Sequence, residues 1–155
     1  MQEFEKQVHK LLPDIYSFAY ILIPDDLQAG QLVSDALAAV VFESKVFFER
    51  IVGTEKANQQ QLEQFRSLLI SHIYFLGKKR YQHIKLSLAR EVDRSPFGQF
   101  AHLEVDERAV LFLRHKLKMD LKQIESVTLL EAHELLMKLN SGRSKLIDVE
   151  DEAVL

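Results

Sequence analysis

Six histidines, one run of cations and no cysteine set the chemistry open to this chain. The histidines are His9, His72, His83, His102, His115 and His133, and no two stand four apart as an H-E-x-x-H zinc helix requires. None is preceded by the E-x-x-H spacing of a di-iron helical bundle. His72 sits among apolar residues, and His133 adjoins Glu134 at a spacing that points the two to different helix faces. Both read as ordinary helix histidines. Without cysteine there is no thiolate zinc site, no iron–sulfur cluster and no thiol nucleophile. Five glycines form no G-x-x-x-x-G-K, G-x-G-x-x-G or G-x-S-x-G. The expectation is a protein that is not an enzyme and holds no metal or other cofactor.

The cations are more informative. Lys78, Lys79, Arg80, Lys85, Arg90 and Arg94 gather within a short stretch, with Tyr81 and His83 interleaved. A net charge of −3 over 155 residues conceals them. Residues 1–60 carry nine acids and five bases, residues 61–103 three acids and seven bases, and residues 104–155 eleven acids and eight bases. Cations beside aromatic faces suit a phosphate backbone and an unstacked base. The same residues at a helix end would also oppose the negative pole of the macrodipole. Composition leaves both readings open.

These residues must be positioned by helices, because the apolar spacing is three and four almost throughout. Phe4, Val8, Leu11 and Leu12 form a stripe that Pro13 is expected to close. Ile15, Phe18, Ala19 and Leu22 form the next, ended by Pro24. Asp25 or Asp26 then caps a helix whose buried face is Leu32, Val33, Ala36, Leu37, Val40 and Val41. A short helix is expected between 43 and 60. A long one follows on Leu62, Phe65, Leu69, Ile73 and Leu76, with the basic cluster at its far end.

Residues 87–104 read as a linker, with a turn signal at Ser95-Pro96-Phe97-Gly98. Glu104, Asp106 and Glu107 mark a helix start. Helices are predicted over 105–118, 120–127 and 130–147, with Asn140-Ser141-Gly142 weakening the last. An acidic tail of 148–155 ends the chain. The expected fold is all-α, as two small bundles: 1–86, the linker 87–104, and 105–147. The longest unbroken apolar run, Ala36 to Phe42, falls far short of a membrane span, and the acidic start is unlike a secretory leader. Cytoplasmic location without membrane contact is the expectation.

The order of these pieces resembles a bacterial RNA polymerase sigma factor of the extracytoplasmic-function class. Leu11-Leu12-Pro13-Asp14-Ile15-Tyr16-Ser17-Phe18-Ala19 with Pro24-Asp25-Asp26 is similar to that family's opening helix and cap. Ala29-Gly30-Gln31-Leu32-Val33-Ser34-Asp35-Ala36-Leu37 resembles its A-E-D-L-V-Q-E-A-F. Phe65 through Arg80 is similar to the helix ending I-D-R-L-R-R, and Val105 to Leu146 looks like the module that contains a helix-turn-helix. The resemblance implies an N-terminal region two-like domain and a C-terminal region four-like domain. It also implies RNA polymerase core and promoter DNA as partners, with an anti-sigma or other regulatory protein and a homodimer as further candidates.

Residue by residue, Leu32, Val33 and Asp35 match the polymerase-docking patch, whose first acid is Gln31 here and whose glutamine is Ser34. Lys78, Lys79, Arg80, Tyr81 and Lys85 match the DNA-binding end of the third helix, with Tyr74 as a further stacking face. In the helix-turn-helix, Lys138, Arg143 and Lys145 are the available phosphate contacts. The turn that favours glycine holds Leu129. Glu131 and Glu134 open the recognition helix, where they would face phosphates, and Leu136 and Met137 suit a protein partner better than DNA. The alternative expectation is therefore a sigma-derived interaction scaffold with little or no DNA binding.

Overall fold

The computed structural model describes residues 2–43, 59–88, 100 and 102–154. Among them are six α-helices and no strand: α1 Gln2–Leu22, α2 Asp26–Glu43, α3 Gln59–Leu88, α4 Val105–His115, α5 Leu121–Thr128 and α6 Ala132–Val154. The fold is all-α, as the apolar spacing indicates. The short helix expected between 43 and 60, the Ser95-Pro96-Phe97-Gly98 turn, and Arg90 and Arg94 lie outside the described residues. No helix among the described residues is long and apolar enough to cross a membrane.

The break expected at Pro13 does not occur; α1 runs through it as one helix. An interior proline removes one backbone hydrogen bond and costs roughly 3 kcal/mol. Pro13 and His9, four residues before it, are both exposed, so the carbonyl that loses its partner stays on the wet side. On the other side Ile15, Phe18, Ala19 and Leu22 are fully buried. Burying one large apolar side chain contributes about 1.5–3 kcal/mol. The buried face outweighs the proline.

Asp25 is the residue that caps α2, its Oδ1 accepting from the Gln28 amide at 2.8 Å. The buried face of α2 is Ala29, Leu32, Val33, Ala36 and Val40, whereas Val41, expected in the core, is exposed. Phe65, Leu69, Ile70, Ile73 and Tyr74 bury α3 against α1 and α2. The three helices cross at Gly77, where a Cβ would stand 2.9 Å from Leu22 and 3.2 Å from Leu32.

The C-terminal helices begin and end on local signals. Asp120 Oδ1 accepts from the Gln123 amide at 2.8 Å, and Gln123 Oε1 accepts from the Asp120 amide at 2.9 Å, a reciprocal cap for α5. The turn between α5 and α6 puts Leu129 in the left-handed region at φ 58°. A side chain there costs roughly 1–2 kcal/mol. Leu129 is also exposed and packs little, so Leu129→Gly is expected to raise the urea midpoint, stabilising by about 0.5–1 kcal/mol. An unchanged or lowered midpoint would mean that Leu129 is held by contacts outweighing its backbone strain.

The weakness expected at Gly142 is absent, because α6 continues to Val154. A Cβ at Gly142 would come within 2.7 Å of Leu111 Cδ1, so the glycine is where α6 presses against α4. The buried residues of both halves of the chain form a single cluster. Within it α1 packs on α4 and α3 packs on α5, and the rings of Phe18 and Phe112 lie 5.8 Å apart.

Candidate polymerase and nucleic-acid interface

The junction of the two halves is built on Arg108, a side chain only 1% exposed. No base occupies the last turn of α1, which leaves the carbonyls of its end in need of donors. Arg108 reaches across from α4 to supply them. Its Nε donates to the Ile21 carbonyl at 2.8 Å and its Nη2 to the Leu22 carbonyl at 3.0 Å, while Nη1 donates to the Leu103 carbonyl at 2.8 Å. A cation at a helix C-terminus also opposes the macrodipole. Burial lowers the Arg108 pKa, but a guanidinium stays charged at any ordinary pH. Its carbon lies 4.8 Å from the centre of the Tyr81 ring, so the aromatic face expected to stack on a base is covered by the chain's own cation.

The remaining residues of the basic end of α3 divide in two. Lys78 Nζ stands 2.9 Å from Asp106 Oδ1 on α4 and donates to the Tyr74 hydroxyl at 3.2 Å. Tyr74, expected to offer a stacking face, is fully buried. Its hydroxyl donates to Asp106 Oδ1 at 2.6 Å, and burial with that carboxylate pushes the phenol well above its ordinary value. Arg80 donates to Asp35 Oδ2 on α2. Lys79 and Lys85, by contrast, are exposed, and neither forms an ion pair among the described residues.

The expected docking residues are placed inward. Leu32 is fully buried and Val33 nearly so, leaving them no surface to offer a partner in this form. Asp35 accepts from Arg80 and, at 2.9 Å, from Gln31 Nε2. Those two donors hold its carboxyl below the usual range. The pair joins a residue matched to polymerase docking with one matched to DNA binding, and each satisfies the other.

The C-terminal cations follow the same pattern. Lys138 Nζ lies 2.7 Å from Glu104 Oε2, and Lys145 Nζ lies 2.7 Å from Glu107 Oε1. Arg143 lies against His115 Nε2, with Nε at 3.3 Å and Nη2 at 3.1 Å. The start of α6 presents Glu131, His133 and Glu134 to solvent, followed by exposed Leu136 and Met137. Ligand atoms of Glu131, His133 and Glu134 come within 4.8 Å of one another, but all three are exposed. That is common in acidic turns without an ion.

Glu107, one residue before Arg108 and equally hidden, carries a pH dependence. Burial alone would raise its pKa, but hydrogen bonds from Lys145, Ser141 and the Glu104 backbone hold it below the usual carboxylate value. A group whose pKa is lower folded than unfolded adds stability above its unfolded value, and that stability is lost as pH falls through the folded one. Asp35 adds in the same direction. Thermal melts followed by circular dichroism are therefore expected to show a midpoint flat near neutrality and falling below pH ~4.5, where free Glu and Asp titrate. Glu107→Gln should flatten that fall. An acid limb equally steep in Glu107→Gln would remove Glu107 from the account.

Two features escaped the spacing argument. Arg108 looks like any charged residue in a helix first turn, and nothing local marks it as buried. The cluster Arg114, His115, Lys116 and Lys118 was legible as an R-H-K-L-K run, yet it was absorbed into the acidic balance of residues 104–155. Comparison of this chain with protein-family models, with curated proteins and with solved structures finds no match.

Proposed function

We propose that this chain is a non-enzymatic, sigma-factor-like transcription protein in a closed form. In that form Leu32, Val33 and Asp35 are withheld, so it meets RNA polymerase through what α2 still exposes beside them, Gln31 and Ser34. Parting of its two halves frees Lys78 and Tyr81 for promoter DNA. The observation that carries this reading is the mutual pairing of the residues matched to partner contact. Lys78 is held by Asp106, Arg80 by Asp35, and Tyr81 lies under Arg108. Single-stranded DNA binding of the expected kind needs free cations beside open aromatic faces, and this arrangement withholds Lys78 and Arg80 and covers a face of Tyr81, with Tyr74 buried. Exposed Lys79 and Lys85 remain as a weak electrostatic footing at the end of α3.

The test is a pull-down of core polymerase together with fluorescence anisotropy on a forked promoter fragment. Polymerase capture with weak DNA affinity that falls steeply with salt is the expected pair of results. Loss of polymerase capture would sink the proposal. The second reading, an interaction scaffold with no DNA role, is favoured by the start of α6. There, exposed carboxylates and the exposed apolar pair Leu136 and Met137 occupy the positions that would face a duplex. Under that reading, light scattering would show self-association or partner binding that Leu136→Glu abolishes.

A further inference from the structure

Where the end of α1 meets α4 and α6, a cavity of about 490 Å3 opens, within the roughly 300–1,000 Å3 of small-molecule sites. Ile21, Leu111, Phe112 and Leu146 give it a hydrocarbon lining. Arg108 reaches the cavity too, but its guanidinium is committed to the carbonyls of Ile21, Leu22 and Leu103. The exposed residues around the cavity are His115, Lys116 and Arg143. All three are basic, and neither Lys116 nor Arg143 meets a carboxylate among the described side chains.

Lys78, Arg80, Lys138 and Lys145, by contrast, each have an acidic partner, and the unpaired Lys79 and Lys85 do not line this cavity. The geometry gathers them, with Arg143 Nε and Nη2 at 3.3 and 3.1 Å from His115 Nε2. Partial burial, and then the nearness of Arg143, Lys118 and Arg114, hold the His115 pKa below its ordinary value. Like charges gathered at the rim of an apolar cavity repel one another, though water screens them in part, and a bound anion relieves that repulsion. A guanidinium also matches a carboxylate in shape, since its N–H groups form a planar fork.

We propose that this cavity binds a single-chain amphiphilic carboxylate, with its hydrocarbon tail on Leu111, Phe112, Leu146 and Ile21 and its headgroup at Arg143 and Lys116. The site goes beyond the transcription reading and stands or falls apart from it. Because Ile21 comes from α1 and Leu146 from α6, an occupant bridges the two halves and stabilises their closed arrangement by mass action.

Isothermal titration of the intact protein with sodium octanoate, decanoate and dodecanoate, each below its micelle concentration, tests the proposal. The expected result is saturable one-to-one binding that tightens about threefold to fourfold per added methylene. Arg143→Glu, a change at an exposed side chain, is expected to weaken decanoate at least tenfold and leave 1-decanol unaffected, with a melting curve matching the parent protein. Equal affinity for decanoate and 1-decanol in the parent protein would overturn the headgroup assignment. Absence of saturable binding, or full affinity in Arg143→Glu, would overturn the site.

Discussion

Arg108→Ala is expected to destabilise the fold by about 3–5 kcal/mol, the largest single-residue effect foreseen for this chain. The guanidinium satisfies three backbone carbonyls, two of them at the end of α1. A buried acceptor left without a donor costs roughly 1–3 kcal/mol. Water entering the space vacated beside Tyr81 would recover part of that cost, which keeps the sum below three full penalties. Against a typical domain stability of about 5–15 kcal/mol the loss is large. Urea unfolding followed at 222 nm measures it. Arg108→Lys should recover only part of the stability, because an ammonium is a point donor and cannot reach Ile21, Leu22 and Leu103 together. A loss below about 1 kcal/mol for Arg108→Ala would mean that the carbonyls find water readily and that Arg108 does not join the halves.

The second large effect concerns affinity. Asp35→Asn combined with Asp106→Asn is expected to tighten binding to a forked promoter fragment about tenfold at low salt, equivalent to about 1.4 kcal/mol. Both substitutions keep a hydrogen-bonding side chain in place but remove the charges that hold Arg80 and Lys78. Two released cations can then neutralise two further phosphates. The plot of log affinity against log salt should steepen by about 1.4, at ~0.7 per single-strand phosphate. Adding Lys78→Gln and Arg80→Gln in the same background should cancel the gain. If the double variant binds no tighter and its salt slope is unchanged, the closed-form proposal fails and the interaction scaffold becomes the better account. The polymerase pull-down is made on the parent protein, because Asp35 is itself matched to polymerase docking and Asp35→Asn bears on both readouts.

The basic stripe thus has a different meaning in the fold than in the chain. Read along the sequence, residues 61–103 are an electropositive segment inside an acidic protein. In the structure Lys78 and Arg80 are neutralised by Asp106 and Asp35, Lys79 and Lys85 stay exposed, and two further cations without a carboxylate among the described side chains, Lys116 and Arg143, stand beside an apolar cavity. Net charge by segment finds where cations are made, not where they remain available.

What the sequence determined by itself is local. The three-and-four spacing of apolar residues set the all-helical class, and short polar signals set the ends of helices: Asp25 before α2 and Glu104 before α4. These are interactions between residues at most four positions apart, so a linear reading captures them. Even so, Pro13 misled, because the cost of a proline is local while the burial that outweighs it belongs to the whole core. Only the tertiary structure decided which charges are spent. Arg108 and the Ile21 carbonyl are 87 positions apart, Arg80 and Asp35 are 45, and Lys145 and Glu107 are 38. No periodicity encodes such pairs. They form because folding brings a helix end that lacks donors against a buried guanidinium, and because a charge taken from water must find a partner or stay at the surface.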